Sequence, residues 1–599
     1  MDTRIVRVLL LAVTCLSLST AQRKPGITVD ELRSHIRYLA SDQLAGRSTG
    51  SAGERLASDY IAKHFEEIGL KGLGSGGYFQ KFDFTAGVSL GENNMAILSV
   101  GELRKQLVLN SEFRPMGFSS TGSFEGEVVF AGYGISLPEK QYDDYAGIDV
   151  SGKAVVIFRN HPDGDNPHSE FGPGAALRYK TAKAKEKGAK AVIIVAGPAD
   201  AENDILAELS YDQSMGDAGI LAVTMTRQAA ESLTGPATIA SLQQEINTNK
   251  KPRSFLLSGK HISLSTEVLK VQKTGTNVLG FLEGSDKELR KEAIIVGAHY
   301  DHLGMGGSGS GSLSPDTLAV HNGADDNASG TAGLLELAEL LASRRSELRR
   351  SVLFIAFSGE ERGLLGSAAY VKNPLLPLDQ SVAMINMDMI GRMNNRKLIV
   401  YGIGTSPGFE QLVTSHNADS TLDLRLVKDG FGPSDHSSFY GSGMPVFHFF
   451  TDLHSDYHKP SDDWEKINYE GMTTILNFIA SIALDVDRGV DRPAYVRVEA
   501  PRQPAASGQG RARSYTGTIP DFGEQVDGMK LSGVTDGSPA AKAGLQAGDI
   551  IVKFGTIEIK NLYDYTFALG EYKPGDEVDV VVKRGNETKT FHLAIGRRN

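Results

Sequence analysis

Ala293-Ile294-Ile295-Val296-Gly297-Ala298-His299-Tyr300-Asp301-His302 is an apolar run of strand length that ends in imidazoles and a carboxylate. A second such run, Val352-Leu353-Phe354-Ile355-Ala356-Phe357, ends in Ser358-Gly359-Glu360-Glu361. Between them, after a glycine-rich loop, Ala324-Asp325-Asp326-Asn327-Ala328-Ser329-Gly330 leads into the helical pattern Ala332 to Ser343. Strands alternating with helices imply a largely parallel sheet covered on both faces, and ligands bind at the carboxyl ends of such strands. The expected fold class is α/β, with a mixed, mainly parallel sheet flanked by helices.

The same alternation continues through the strand candidates Val382 to Asn386, Leu398 to Tyr401 and Met444 to Phe450, and the helix candidate Tyr469 to Leu484. The first of these strands runs into Met387-Asp388-Met389-Ile390-Gly391-Arg392, and His454-Ser455-Asp456-Tyr457-His458-Lys459-Pro460-Ser461-Asp462 comes later. Counting His299, Asp326, Glu361, Asp388 and His458 gives two imidazoles and three carboxylates, a donor mixture that suits zinc and leaves Glu360 over. A single ion needs three protein ligands and an open position. Five are better explained by two ions about 3.5 to 4 Å apart that share one carboxylate. Asp301, two residues past His299, is then the partner that fixes the imidazole tautomer. Taken alone, the Asp325-Asp326-Asn327 cluster reads as a helix cap and the Glu360-Glu361 pair as a solvated turn. His454 competes with His458 for the last position, and the neighbouring Tyr457 favours His458.

Outward from this centre, 599 residues imply roughly three or four domains. A formal charge of -11 and no basic stripe argue against a nucleic-acid partner. Arg4 and Arg7, the apolar run Val8 to Leu18 and Ser19-Thr20-Ala21 read as a signal peptide over residues 1–21. Later stretches fall short of the about 20 apolar residues that span a bilayer, so no transmembrane segment is expected. The one cysteine, Cys15, lies in the signal, which leaves no disulfide in the mature chain. An exported protein of a bacterial periplasm or the extracellular medium is the expectation. Residues 22–110 open the catalytic domain, with capping-box spacing at Thr28 to Glu31 and an apolar helical stripe of Leu56, Tyr60, Ile61 and Phe65. Residues 111–265 change to short β-type runs around a lysine-rich helix and read as an insert; residues 266–490 resume the catalytic domain. Residues 491–517 read as a linker, and 518–599 as a separate module.

Three resemblances follow from these motifs. The His299, Asp326, Glu361, Asp388 and His458 segments, in that order and spacing, resemble the M28 zinc aminopeptidases of the co-catalytic two-zinc type. That likeness implies two Zn2+ per chain. His299 and Asp388 hold one ion, Glu361 and His458 the other, and Asp326 bridges them. It further implies Glu360 as general base, Tyr457 as oxyanion donor, a cis peptide after Asp326, and peptide substrates with a free N-terminus. Gly188-Ala189-Lys190-Ala191-Val192-Ile193 after its helix resembles a protease-associated domain. Ser538-Pro539-Ala540 through Gly548-Asp549-Ile550-Ile551 resembles a PDZ domain of the bacterial protease type, which implies a C-terminal peptide as ligand. The scaffold leaves room for a non-catalytic receptor, a carboxypeptidase or a glutaminyl cyclase. The intact ligand set speaks against the first, and metal counting and substrate choice separate the others.

Overall fold

The computed structural model describes residues 26–598 apart from 75, 165–168, 202, 212–216, 236, 308–309, 315–316, 453, 455, 499–512, 521–525, 535–536, 561–563, 566–567, 570–571, 573–574 and 586. The expected signal peptide and residues 499–512 of the expected linker lie outside the described residues. Among the described residues no helix is long and apolar enough to cross a membrane.

The strands Ser351–Phe357, Ala293–His299, Ser381–Met387 and Val446–Phe450 lie side by side and parallel at the centre of the larger sheet. Antiparallel pairing extends it at both sides, through Val268–Leu282 against Ser351–Phe357 and through Lys397–Tyr401 against Val446–Phe450. Every residue of Ala293–His299, Ser351–Phe357 and Ser381–Met387 is buried. A sheet covered on both faces has no solvent side, which is why these strands read as continuous apolar runs and not as alternating ones. One face packs against the helices Val29–Leu39, Ala52–Glu67, Gly330–Ser343 and Tyr469–Arg488. The other face carries a smaller core that includes Tyr370, Phe439 and Tyr440.

Thr28 caps its helix, accepting the Glu31 N–H at 3.2 Å and donating its hydroxyl to the Glu31 carboxylate at 2.7 Å. Leu56 departs from expectation. It is 39% exposed, while Ala57, Ile61 and Phe65 are fully buried. The buried stripe of that helix therefore runs at four-residue spacing from Ala57, one position away from Leu56.

The chain leaves the main sheet along Phe79–Leu90 and returns along Val268–Leu282, and these two long strands pair with each other in antiparallel fashion. Between them a second sheet of eight strands is built from residues 95–266, with apolar clusters on both of its faces. Met95–Val100 and Leu103–Gln106 belong to this sheet, ahead of the change in texture at residue 111. Beyond the main sheet, Tyr495 and Val498 are tied to Tyr440, and the Val496 N–H to the Thr405 carbonyl, so residues 495–498 still pack on the main body. The strands Met529–Val534, Ile550–Phe554, Glu577–Arg584 and Glu587–Ala594 and the short helix Pro539–Ala543 form a third unit with its own core.

Candidate metal centre

Three parallel strands end at one place. His299 closes the first, Glu360 and Glu361 follow the second across the turn at Ser358-Gly359, and Asp388 follows the third. Asp326 enters from the turn before Gly330–Ser343, and the peptide bond Asp326-Asn327 is cis. That turn is held by the Asn327 side chain, which donates to the Met387 carbonyl at 3.0 Å and accepts the Met389 N–H at 3.1 Å. From the other side the Asp462 carboxylate accepts the N–H groups of Asp325 and Asp326 at 2.9 and 3.1 Å.

His299 Nε2 lies 3.2 Å from Asp388 Oδ1 and 3.4 Å from Asp326 Oδ1. The other oxygen of Asp326, Oδ2, lies 3.2 Å from His458 Nε2, which is also 3.2 Å from Glu361 Oε2. Two donors on one tetrahedral ion at about 2.0 to 2.2 Å stand about 3.3 Å apart. In each triad the histidine stands at about that spacing from both carboxylates, and each takes a different Asp326 oxygen. The five side chains expected as ligands are thus brought together, and the donor set fits a divalent cation of the zinc type.

His302, for which the sequence implies a structural role or a support beside the five, is here too. His302, Asp326 and Glu361 also form a group of donors close enough for one ion. Its Nδ1 is 2.6 Å from Glu361 Oε1 and 3.9 Å from Asp326 Oδ2. A separation of 2.6 Å is a hydrogen bond, shorter than two donors on one ion adopt. We therefore take His302 as the group that occupies Oε1 of Glu361 and leaves Oε2 facing His458. His454 is turned elsewhere, with Nε2 3.2 Å from Asp325 Oδ2. Arg392 bonds the Asp456 carboxylate at 2.8 Å.

Asp301 is fully buried and touches three parts of the centre. Its carboxylate accepts the Thr49 hydroxyl at 2.8 Å and the Glu360 N–H at 3.1 Å. His299 Nδ1 lies 3.2 Å from the Asp301 carbonyl and 3.6 Å from its carboxylate, so the main-chain oxygen is the nearer acceptor for the ring proton. Glu360 Oε2 stands 3.9 Å from His299 Nε2, outside the spacing of the five. Tyr457 stacks on the His458 ring, with centroids 3.8 Å apart.

Underneath, Arg47 is completely buried and donates to the carbonyls of Tyr300, Asn322, Gly323 and Leu39. It ties the turn after His299 to the turn before Asp326. Nothing in the sequence marks it as part of the centre, since it stands more than two hundred residues from either turn.

So many acids in one dry place shift one another. Burial pushes the Glu360 carboxyl well above its ordinary range, with Asp388 and Glu361 adding to the effect and His299 opposing it. Burial also raises Asp326, reinforced by the Glu361 charge. For Glu361 burial acts upward too, but His302 and His458 outweigh it and hold the carboxyl below its usual range. Burial acts to lower His458, yet Asp326 and Glu361 push it up to about 10. A cavity that gathers this much negative charge is one in which a divalent cation is the natural counterion.

The fold and the centre define a class, an α/β domain that gathers carboxylates and imidazoles able to hold a metal ion at the carboxyl ends of parallel strands. Residues 277–483 match Peptidase family M28 and residues 520–595 match the PDZ domain, so the chain carries an M28 peptidase domain followed by a PDZ domain. It is 26% identical to Aminopeptidase YwaD of Bacillus subtilis (strain 168) over 361 residues, which cover 58% of this chain and 66% of that one. It is 26% identical to Leupeptin-inactivating enzyme 1 of Streptomyces exfoliatus over 281 residues, 45% of this chain and 58% of the relative. The chain thus spans under two thirds of the length of these curated relatives. Among solved structures, BSAP, a zinc aminopeptidase from Bacillus subtilis, aligns at 22% identity and a TM-score of 0.46, covering 79% of this chain and 99% of that one.

Proposed function

We propose that this protein is a zinc-dependent aminopeptidase that removes N-terminal residues from peptides. The observation that carries the reading is the pair of triads sharing Asp326, with Glu360 beside them and outside both. In this reading His299 and Asp388 would hold one Zn2+, Glu361 and His458 would hold the other, and Asp326 would serve both. Bound there, the two ions would supply a water of lowered pKa and polarise the scissile carbonyl. Glu360, held by its N–H to Asp301, takes the proton of the attacking water and returns it to the leaving amine. Tyr457 stays neutral, because burial and the surrounding carboxylates raise its pKa, and it donates its hydroxyl to the oxygen that gains charge. Asp301 and His302 orient their neighbours.

The remaining parts follow the same reading. The sheet of residues 95–266 is a protease-associated insert that borders the catalytic domain, and the PDZ domain takes a peptide end from a substrate or anchoring partner. The protein acts after export, in a bacterial periplasm or outside the cell. The test is a panel of aminoacyl anilides and N-blocked peptides, assayed with metal-depleted and zinc-restored protein and with direct counting of zinc per chain. Zinc-dependent cleavage of the anilides with two ions per chain is expected. Activity that persists without metal, or cleavage of only the N-blocked peptides, would overturn the proposal.

A further inference from the structure

His321 is fully buried five positions before Asp326, and the function proposed above gives it no task. Its Nδ1 lies 3.0 Å from the Ala319 carbonyl, which can only accept, so the ring proton sits there. Nε2 is then the acceptor for the Ser312 hydroxyl at 2.8 Å. Burial lowers the His321 pKa, which keeps the ring neutral and that acceptor available. The ring is also hemmed in, since a Cβ on Gly306 would come within 2.1 Å of its Cε1. The His321 main-chain N–H donates to the Gly304 carbonyl at 2.8 Å, and the Gly304 N–H to the Gly46 carbonyl at 2.9 Å, so the base of the loop is anchored to the N-terminal segment.

The two neighbours of Ser312 grip His458. The Gly311 carbonyl lies 2.9 Å from His458 Nδ1, and the Leu313 N–H donates to the His458 carbonyl at 3.0 Å. A carbonyl on Nδ1 fixes the tautomer that leaves Nε2 bare, and Nε2 is the atom facing Asp326 and Glu361. The loop that supplies this grip holds Gly304, Gly306, Gly307 and Gly311 at positive φ. Glycine backbone of this kind loses much conformational entropy on ordering, so side chains that brace it matter. The Ser310 hydroxyl donates to the Gly307 carbonyl at 2.7 Å and accepts the Ser312 N–H at 3.2 Å within the loop, and Ser312, whose hydroxyl also accepts the Ser314 N–H at 3.0 Å, ties the loop to His321.

We propose that the Ser312–His321 hydrogen bond is a latch that holds Gly311 and Leu313 against His458 and so sets the affinity of the ion position His458 serves, leaving the position of His299 and Asp388 unaffected. Ser312 and His321 are positioning residues. Loss of such an outer partner weakens a metal site about 10–100-fold. The inference rests on the two-ion reading.

The test is zinc occupancy of the full-length protein across a series of buffered free-zinc concentrations, for wild type, Ser312→Ala, Ser312→Thr and His321→Ala. Wild type should fill two positions. Ser312→Ala and His321→Ala should fill the first at the wild-type concentration and the second only at about 10–100-fold higher free zinc. Ser312→Thr, which keeps the hydroxyl, should follow wild type. If His321→Ala does not fold, the contrast of the two Ser312 variants decides. Wild-type filling of both positions by Ser312→Ala, or parallel weakening of both positions, would overturn the latch while leaving the aminopeptidase reading intact. A wild-type chain that takes only one ion would overturn both.

Discussion

Replacing Glu360 by Gln separates the proposed proton carrier from the five side chains proposed to hold the ions. The side chain is 12% exposed, and Gln matches it in volume, so no cavity opens and folding stability should hold. The main-chain bond from Glu360 N–H to Asp301 survives, because it does not involve the side chain. Glu360 Oε2 lies 3.9 Å from His299 Nε2, against 3.2 to 3.4 Å between the donors of the triads, so zinc content should also hold. What disappears is the group proposed to take the proton. General-base catalysis contributes about 10²- to 10⁴-fold, which corresponds to about 3 to 5 kcal/mol of barrier. The expected outcome with an aminoacyl anilide is a fall of kcat by that factor, with KM changed little. Zinc per chain, measured on the same sample, should equal wild type. A variant keeping more than a tenth of wild-type kcat would refute the role, and one that loses an ion would make Glu360 a ligand.

Arg47→Met should destabilise the holoprotein by at least about 3 kcal/mol, because four carbonyls lose their donor at once and an unmet buried acceptor costs about 1 to 3 kcal/mol; denaturant unfolding measures it, and a change below about 1 kcal/mol would contradict the account. In the turn after Tyr142–Asp143, within the inserted unit, burial raises the Asp144 pKa to about 7, above the unfolded value. The folded state then binds more protons than the unfolded state between about pH 4 and pH 7, so the contribution of Asp144 falls as pH rises through that window. Relative to Asp144→Asn, wild-type protein should lose stability from pH 4 to pH 7; a constant difference would show that this carboxyl does not titrate there. A chain ending at residue 498 keeps the bonds of Val496 and Val498 to the main body and should hydrolyse aminoacyl anilides with kcat/KM within about twofold of the full chain, since the PDZ core is separate.

The parts of this architecture legible in the sequence are those written in contiguous residues. Ala293 to His299 and Ser351 to Phe357 announce themselves as buried parallel strands because every position is apolar or small, and their ends carry the acids and imidazoles. The PDZ unit was legible for a similar reason, with Pro539 and Gly544 marking the two ends of its helix. The long strands Phe79–Leu90 and Val268–Leu282 were not, since they mix charged and apolar residues and gain their order from pairing with each other. A second histidine three residues after His299 reads in the sequence as a core residue or a support beside the ligand candidates, and the 2.6 Å approach of Glu361 shows which neighbour His302 supports. Leu56 was misplaced by a single helical position, about 100 degrees of rotation. Arg47 and Thr49 had no local signal, because their partners lie in turns hundreds of residues away.

That last distance carries a consequence for the newborn chain. Arg47 underpins turns at Tyr300 and Gly323, while His458 arrives near the end of the main body, with the whole second sheet threaded between front and back. No fragment emerging from the ribosome contains both the floor and His458 until the more than four hundred residues between Arg47 and His458 have been made, so the cluster of acids and imidazoles is completed only late in synthesis.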